Sequence, residues 1–533
     1  MKKPKPKSIF RKKNTALKTV HGILDITRYG MGFVEVPGMD RDILIRRDYL
    51  QGAMKGDEVE VAVFTPTGTK RAEGRIIKII KRSQTECIGT VQKNAGFAFV
   101  VPDNSEFNRD IYISSEGSRP LKDGDRVWVR ITDWSERMKN PEGEIIEVLD
   151  PEKQRDADMK EILLQAGFPL RFPADVMQES EALSMPSGPL PENRKDYRDV
   201  LTFTIDPEDA RDFDDALSIK TLRRGVYEIG VHIADVSHFL EEGSALDLEA
   251  KKRATSVYLP DRVLPMLPER ISNELCSLRP HEDRFTFSVL FEITEEAEVL
   301  NFQLCKTCIH SNRRFTYEEV QNMLDGSEGD YRNELLILNA LSQKLRKEKM
   351  SKGAINFASE EIRFVLDEKG NPIGVKVKES LASHQLIEEW MLLANRTVSE
   401  LASAKKWKNK AVPFPYRVHD IPDMDKLKSF ALFAARFGHR FDLSSPEQIA
   451  HSFNRMIQQS AHEPSQQFLH TLGIRTMAKA HYTTGNIGHY GLGFEFYSHF
   501  TSPIRRYPDV LSHRILLALL ENRSPLIHDL EAV

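Results

Sequence analysis

Two stretches near the front of the chain repeat one another, and a repeat of this length leaves few folds open. The first runs Gly22-Ile-Leu-Asp, Gly30-Met-Gly-Phe33-Val34, Asp42-Ile-Leu-Ile45 and Lys55-Gly-Asp-Glu-Val59. The second runs Gly89-Thr-Val, Gly96-Phe97-Ala-Phe99-Val100, Asp110-Ile-Tyr-Ile113 and Asp123-Gly-Asp-Arg-Val127, with matched residues offset by 64 to 68 positions. Within each, apolar residues alternate in short runs broken by Gly- or Asp-containing turns, the period-two pattern of strands. Five short strands in about 65 residues suit a small Greek-key barrel of the OB or cold-shock type. The expected organisation is a basic tail over residues 1–18, one barrel over 19–83 and a second over 84–150.

Charge is divided along the same line. Residues 1–100 carry 20 Lys/Arg against 10 Asp/Glu, or +10, so the other 433 residues sum to −14 within a net −4. A basic front and an acidic body point to a polyanion-binding module joined to something that gathers cations. Seven of the basic residues lie in the first 13 and read as a solvated tail. Arg28, Arg41, Arg46 and Arg47 instead sit among aromatics in a strand-like region. On such a barrel, exposed aromatics beside Lys/Arg stack on bases and follow the phosphate backbone. Tyr29 and Phe33 with Arg28, and Phe97, Phe99 and Tyr112 with Lys93, are the candidates. Each of these rings could equally fill a core.

A chain of 533 residues holds about three or four domains, and 40% hydrophobic residues exclude global disorder. No run nears the roughly 18 apolar residues that span a bilayer, and MKKPKPKSIFRKKN lacks the apolar core of a signal peptide. No membrane association or secretion is expected. Four cysteines (Cys87, Cys276, Cys305, Cys308) are too few for a disulfide scaffold and fit a reducing cytoplasm. Pro169, Pro173, Pro186, Pro189 and Pro191 punctuate a polar stretch, which reads as a helix and linker over 151–190 leading to a catalytic body over 191–533.

That body opens on Thr204-Ile205-Asp206-Pro207-Glu208-Asp209-Ala210-Arg211-Asp212-Phe213-Asp214-Asp215-Ala216, with six acidic residues between Asp206 and Asp215. Carboxylates this close repel and raise one another's pKa unless cations neutralise them. Hard oxygen donors favour Mg²⁺, or Mn²⁺, over zinc. Val200–Ile205 reads as a buried strand ended by Pro207, which puts Asp206 at a strand terminus with the other aspartates on the returning loop. Two such ions about 3.5–4 Å apart would clamp a phosphodiester. A solvated acidic loop is the alternative; a calcium loop of the EF-hand kind is excluded because its Gly and distal Glu are missing.

TIDPEDARDFDDA resembles the metal-binding signature of the RNase II/RNase R exoribonucleases, which often has Gly where this chain has Pro207. The resemblance continues through SVYLPDRVLPMLPERISNELCSL (256–278), LIEEWMLLAN (386–395), PYRVHD (415–420) and HFTSPIRRYPD (499–509). It implies an α/β RNB-type catalytic domain behind the two OB/cold-shock barrels. It further implies a monomeric, cytoplasmic 3′→5′ exoribonuclease that threads single-stranded RNA and releases nucleoside 5′-monophosphates. Asp206, Asp212, Asp214 and Asp215 would hold the metal, and Arg505 would neutralise the scissile phosphate. Tyr258 would position the terminal nucleotide, with Phe357 on the other face of its base. Glu388 or Glu389 would read the ribose 2′-OH, and Arg506 would add a further RNA contact. Ser502 before Pro503 reads as an N-cap, so a helix is expected to begin there and aim free N–H groups at a phosphate. Family members usually carry another C-terminal RNA-binding barrel, and its absence here leaves a fragment or a variant as the expectation. The competing reading is a non-catalytic RNA-binding or chaperone protein; a DNA exonuclease is a weaker one.

Two features are set aside. Cys305-Lys-Thr-Cys308 lacks the further ligands of a zinc site and lies in a strand-like run. Gly491-Leu-Gly493 lacks the context of a dinucleotide loop.

Overall fold

In a computed structural model, the described residues are 18–27, 30–39, 41–64, 72–104, 107, 109–134, 140–150, 153–186, 188–356, 361–367, 372–378, 380–460 and 466–525. The chain divides into two compact units, Met1–Arg171 and Phe172–Val533.

The first unit contains two closed five-stranded barrels. β1 (Lys18–Ile26), β2 (Gly32–Glu35), β3 (Ile43–Ile45), β4 (Glu58–Phe64) and β5 (Glu73–Lys81) close in the order β1-β2-β3-β5-β4. β6 (Glu86–Asn94), β7 (Phe97–Pro102), β8 (Ile111–Ile113), β9 (Arg126–Asp133) and β10 (Glu142–Val148) close as β10-β8-β7-β6-β9. The repeated glycines mark backbone constraints common to both. A Cβ on Gly22 would lie 2.2 Å from the Glu35 carbonyl oxygen, and one on Gly89 2.4 Å from that of Val101. Gly56 and Gly124 both turn with φ at +83°, a conformation that L side chains resist. Alternate residues then fill each interior: Leu24, Val34, Ile43 and Ile45 in the first barrel, Ala98, Val100, Ile111 and Ile113 in the second.

The second unit is built on a seven-stranded mixed sheet. Its strands are β11 (Arg194–Tyr197), β12 (Thr202–Asp206), β13 (Asp215–Arg223), β14 (Val226–Ala234), β17 (Asp283–Thr294), β18 (Val299–His310) and β19 (Arg313–Thr316). The order is β11-β18-β17-β14-β13-β12-β19, with a separate hairpin of β15 (Val257–Tyr258) and β16 (Val263–Leu264). β11 on β18 and β12 on β19 run parallel; the other pairs are antiparallel. The helices Tyr317–Leu324, Arg332–Ser351, Ala382–Ala404 and Tyr507–Leu520 add their apolar residues to the sheet's core. Fully buried Phe203, Phe287, Phe291, Phe315, Trp390 and Phe500 anchor that core. Such side chains contribute roughly 1.5–3 kcal/mol each against exposure. Cys305 and Cys308 lie on β18, and no described helix is long and apolar enough to cross a membrane.

Candidate active site

β12 is buried along its whole length and ends at Asp206, in register with Thr316 of β19. Pro207 cannot donate to the ladder, so the chain leaves the sheet, carries Asp212 and Asp214 through a loop, and re-enters at Asp215, the first residue of β13. The loop is pinned by Phe213, whose N–H donates to Ser277 Oγ at 3.0 Å. The four aspartates thus gather at one end of two adjacent strands.

The rest of the site arrives from distant sequence. The Ile504 N–H donates to Asp214 Oδ1 at 2.9 Å, and Arg505 Nε stands 3.7 Å from Asp214 Oδ2. Tyr258 is 51% exposed, and its hydroxyl donates to Asp212 Oδ2 at 3.2 Å. The electrostatics are under-compensated. Burial, then repulsion from Asp215, pushes Asp206 up to about 8. Burial raises Asp215 to about 6 although Arg505 and Arg506 oppose it. Burial also drives Asp214 well above the carboxylate range, with Arg505 and the Ile504 amide pulling back. Burial, then Asp212, raises Tyr258, so its hydroxyl stays protonated and donates.

A divalent cation fits this donor set. Asp206 Oδ2 is buried with no hydrogen-bond partner, and at Asp206 burial and repulsion from Asp215 outweigh the pull of Arg314. Among the described residues no three His, Cys, Asp or Glu side chains already enclose a metal-sized position.

Several expectations change. The segment after Ser502 is not a helix start. It forms a turn, and the helix begins at Tyr507 with Arg506 as its N-cap and Pro508 in the first turn. The Ile504 amide is consequently spent on Asp214 rather than facing a phosphate. Arg506 turns inward, where Nη2 donates to Asp509 Oδ1 at 2.8 Å. Glu388 and Glu389 part company. Glu389 is 3% exposed, and its Oε1 accepts from Lys349 Nζ at 2.7 Å and Arg346 Nη1 at 3.1 Å. Glu388 keeps its side chain 47% exposed, with the same two cations no closer than 3.6 Å.

In the second barrel Phe97, Phe99 and Tyr112 alternate with core residues and face outward. Phe99 meets Phe97 and Tyr112 edge to face and Phe97 lies tilted against Tyr112, with centroids 5.6 to 5.9 Å apart. Lys93 does not join them: its ammonium donates to the carbonyls of Arg119 and Leu121. Phe33 is half-buried on the outer face of β2, between buried Gly32 and Val34. Arg28, Tyr29 and Phe357 lie outside the described residues.

Sequence reasoning passed over Tyr317. Its ring stacks on His384 at 4.0 Å and 12°, and its hydroxyl is raised by burial, then by Asp215 and Asp206. The available signal was the capping box Thr316…Glu319, which starts a helix beside the strand end that holds Asp206.

Two closed barrels of OB type ahead of a mixed sheet with an aspartate–arginine centre define a multi-domain class built to hold and process polynucleotides. Comparisons with known proteins agree. Residues 194–522 match the RNB domain, 22–79 the ribonuclease B OB domain and 99–173 the cold shock domain. The chain belongs to the RNB-domain ribonuclease family. It is 35% identical to Ribonuclease R 1 of Lactococcus lactis over 98% of this chain and 66% of that protein. Ribonuclease R of Thermotoga maritima is also 35% identical, over 96% of this chain and 72% of its own length. The structure of Mycoplasma genitalium RNase R in complex with ribose methylated single-stranded RNA superposes with a TM-score of 0.78 at 28% identity, covering 94% of this chain and 79% of that one. A yeast pseudonuclease, 20% identical with a TM-score of 0.63, shows the fold alone.

Proposed function

We propose that this chain is a 3′→5′ exoribonuclease that hydrolyses single-stranded RNA to nucleoside 5′-monophosphates. The observation that supports this best is the clamp on Asp214, which brings Arg505 against a group of under-compensated carboxylates. Asp206, Asp212, Asp214 and Asp215 would hold Mg²⁺, with Mn²⁺ as a substitute, the side chains drawing together around it. When bound, such an ion supplies activated water and offsets charge on the phosphate. Arg505 is 45% exposed; its Nη2 donates to Ser502 Oγ at 3.1 Å, and its remaining guanidinium N–H groups would grip a phosphate oxygen. Tyr258 holds Asp212 in place and presents its ring for stacking on the terminal nucleotide. Glu388, half-exposed and paired with the two cations only at 3.6 Å or more, is more available to accept from a 2′-OH than the buried Glu389. The outward aromatics Phe97 and Phe99, with Phe33 on the other barrel, offer stacking surfaces for the RNA chain. A cytoplasmic monomer with reduced cysteines completes the reading.

Incubating 3′-labelled single-stranded RNA and a matched DNA with Mg²⁺ or EDTA tests it. Mononucleotide release from RNA alone, abolished by EDTA, is the expected result. Binding without release would return the chain to a non-catalytic RNA-holding role, and equal attack on DNA would remove the role given to Glu388.

A further inference from the structure

Resting on the role proposed above for Arg505, we infer that Asn395 is a positioning residue that sets that arginine against Asp214. Residues 500–506 belong to neither helix nor strand apart from a single bridge at Arg506, so their path must be fixed by side chains. Asn395, 3% exposed in the Ala382–Ala404 helix, supplies the first restraint. Its Oδ1 accepts the Phe500 N–H at 2.7 Å, and its Nδ2 donates to Thr501 Oγ1 at 3.2 Å and to Tyr497 Oη at 3.5 Å. The Tyr507–Leu520 helix supplies the others. Asp509 Oδ1 accepts the Ser502 N–H at 2.8 Å, and His513 Nε2 donates to the Phe500 carbonyl at 2.8 Å. Phe500 to Ser502 are therefore read residue by residue from two helices, and the two groups that touch Asp214 follow immediately.

A buried carboxamide that pairs with both a backbone N–H and a hydroxyl cannot be replaced by an apolar group without leaving donors unmet. The backbone then seeks another path, and a displacement of about 1 Å at a reacting group can slow chemistry about 10²-fold. Asn395 also shares its helix with Glu388, seven residues and two turns away, hence on the same side and about 10 Å along the axis. One rigid element would thus space the proposed ribose reader from the arginine segment.

The test is single-turnover release of the 3′ nucleotide by the full chain, with RNA binding measured separately in EDTA. Asn395→Ala is expected to lower the rate constant by about 10- to 10²-fold with binding changed less than about twofold. In an Arg505→Ala background the same substitution should cost less than about threefold, because its effect runs through the arginine. Thr501→Val, which removes one partner without touching the helix, should slow release by a smaller factor. An equal loss with and without Arg505, or full activity of Asn395→Ala, would overturn the assignment. If Asn395→Ala shows no melting transition, Thr501→Val decides: slower release supports the assignment and an unchanged rate overturns it. Full activity of Arg505→Ala alone would instead defeat the underlying role of that arginine.

Discussion

Asp235 lies just beyond the end of β14, whose neighbour β13 begins at Asp215 of the proposed metal-binding group, yet the two environments are opposite. Its Oδ2 accepts from Arg194 Nη2 at 2.6 Å, its Oδ1 from Lys306 Nζ at 2.6 Å and from Ser237 Oγ at 2.9 Å. Burial opposes its ionisation, but Lys306 and Arg194 overcome this and hold it below the usual carboxylate range. The two cations rest on the faces of Phe287 and Phe285 at 4.0 and 3.9 Å. Around Asp206, Asp214 and Asp215 burial wins over the opposing pull of Arg314, Arg505 and Arg506, of which half-exposed Arg505 stands 3.7 Å from Asp214. A buried acid supplied with its own cations serves the fold; one left short of them is ready for a cation from solution.

The sharpest way to separate the two sites is to neutralise each. Asp214→Asn should slow nucleotide release by about 10³-fold or more, while RNA binding and melting temperature change little. Comparable losses of binding and turnover would count against its catalytic role. Asp235→Ala should do the reverse. Stranding Lys306 and Arg194 is expected to cost about 3–5 kcal/mol of stability in denaturant titrations, with the folded fraction still releasing nucleotides.

Added metal should tell the sites apart by pH. Asp206 and Asp215, raised to about 8 and about 6, bind more protons folded than unfolded. Without metal, the stability they give is present in acid and lost as pH climbs through those values. A divalent ion takes the place of the proton, so the rise in melting temperature on adding Mg²⁺ should grow between pH 5 and pH 8.5. At 100 times its dissociation constant the ion adds about 2.7 kcal/mol. An identical rise at both pH values would separate the ion from these carboxylates. The smallest effect is expected in the second barrel: Phe99→Ala should weaken single-stranded RNA binding by about 1–3 kcal/mol without altering the single-turnover rate at saturating RNA.

The barrels were legible because their glycines and alternating residues answer to local backbone geometry, and Gly22 and Gly89 meet the same close approach. Asp206 at a strand end was equally legible, since Pro207 stops β12 by itself. What the sequence concealed depends on partners far along the chain. Ser502-Pro503 reads as a helix start, but Asp509 and Asn395 claim the neighbouring amides and delay the helix to Tyr507. Glu388 and Glu389 are indistinguishable as neighbours; Lys349 and Arg346, from another helix, bury one and leave the other half-exposed. Lys93 looked like a phosphate ligand until two carbonyls of its own barrel took its ammonium.

The hydrogen bond between Asp214 and the Ile504 amide joins residues 290 positions apart. During synthesis the aspartates leave the ribosome long before the arginine segment has been made. A growing chain therefore carries acidic groups with no Arg505 to face them, and the proposed centre can be complete only once translation has passed that arginine.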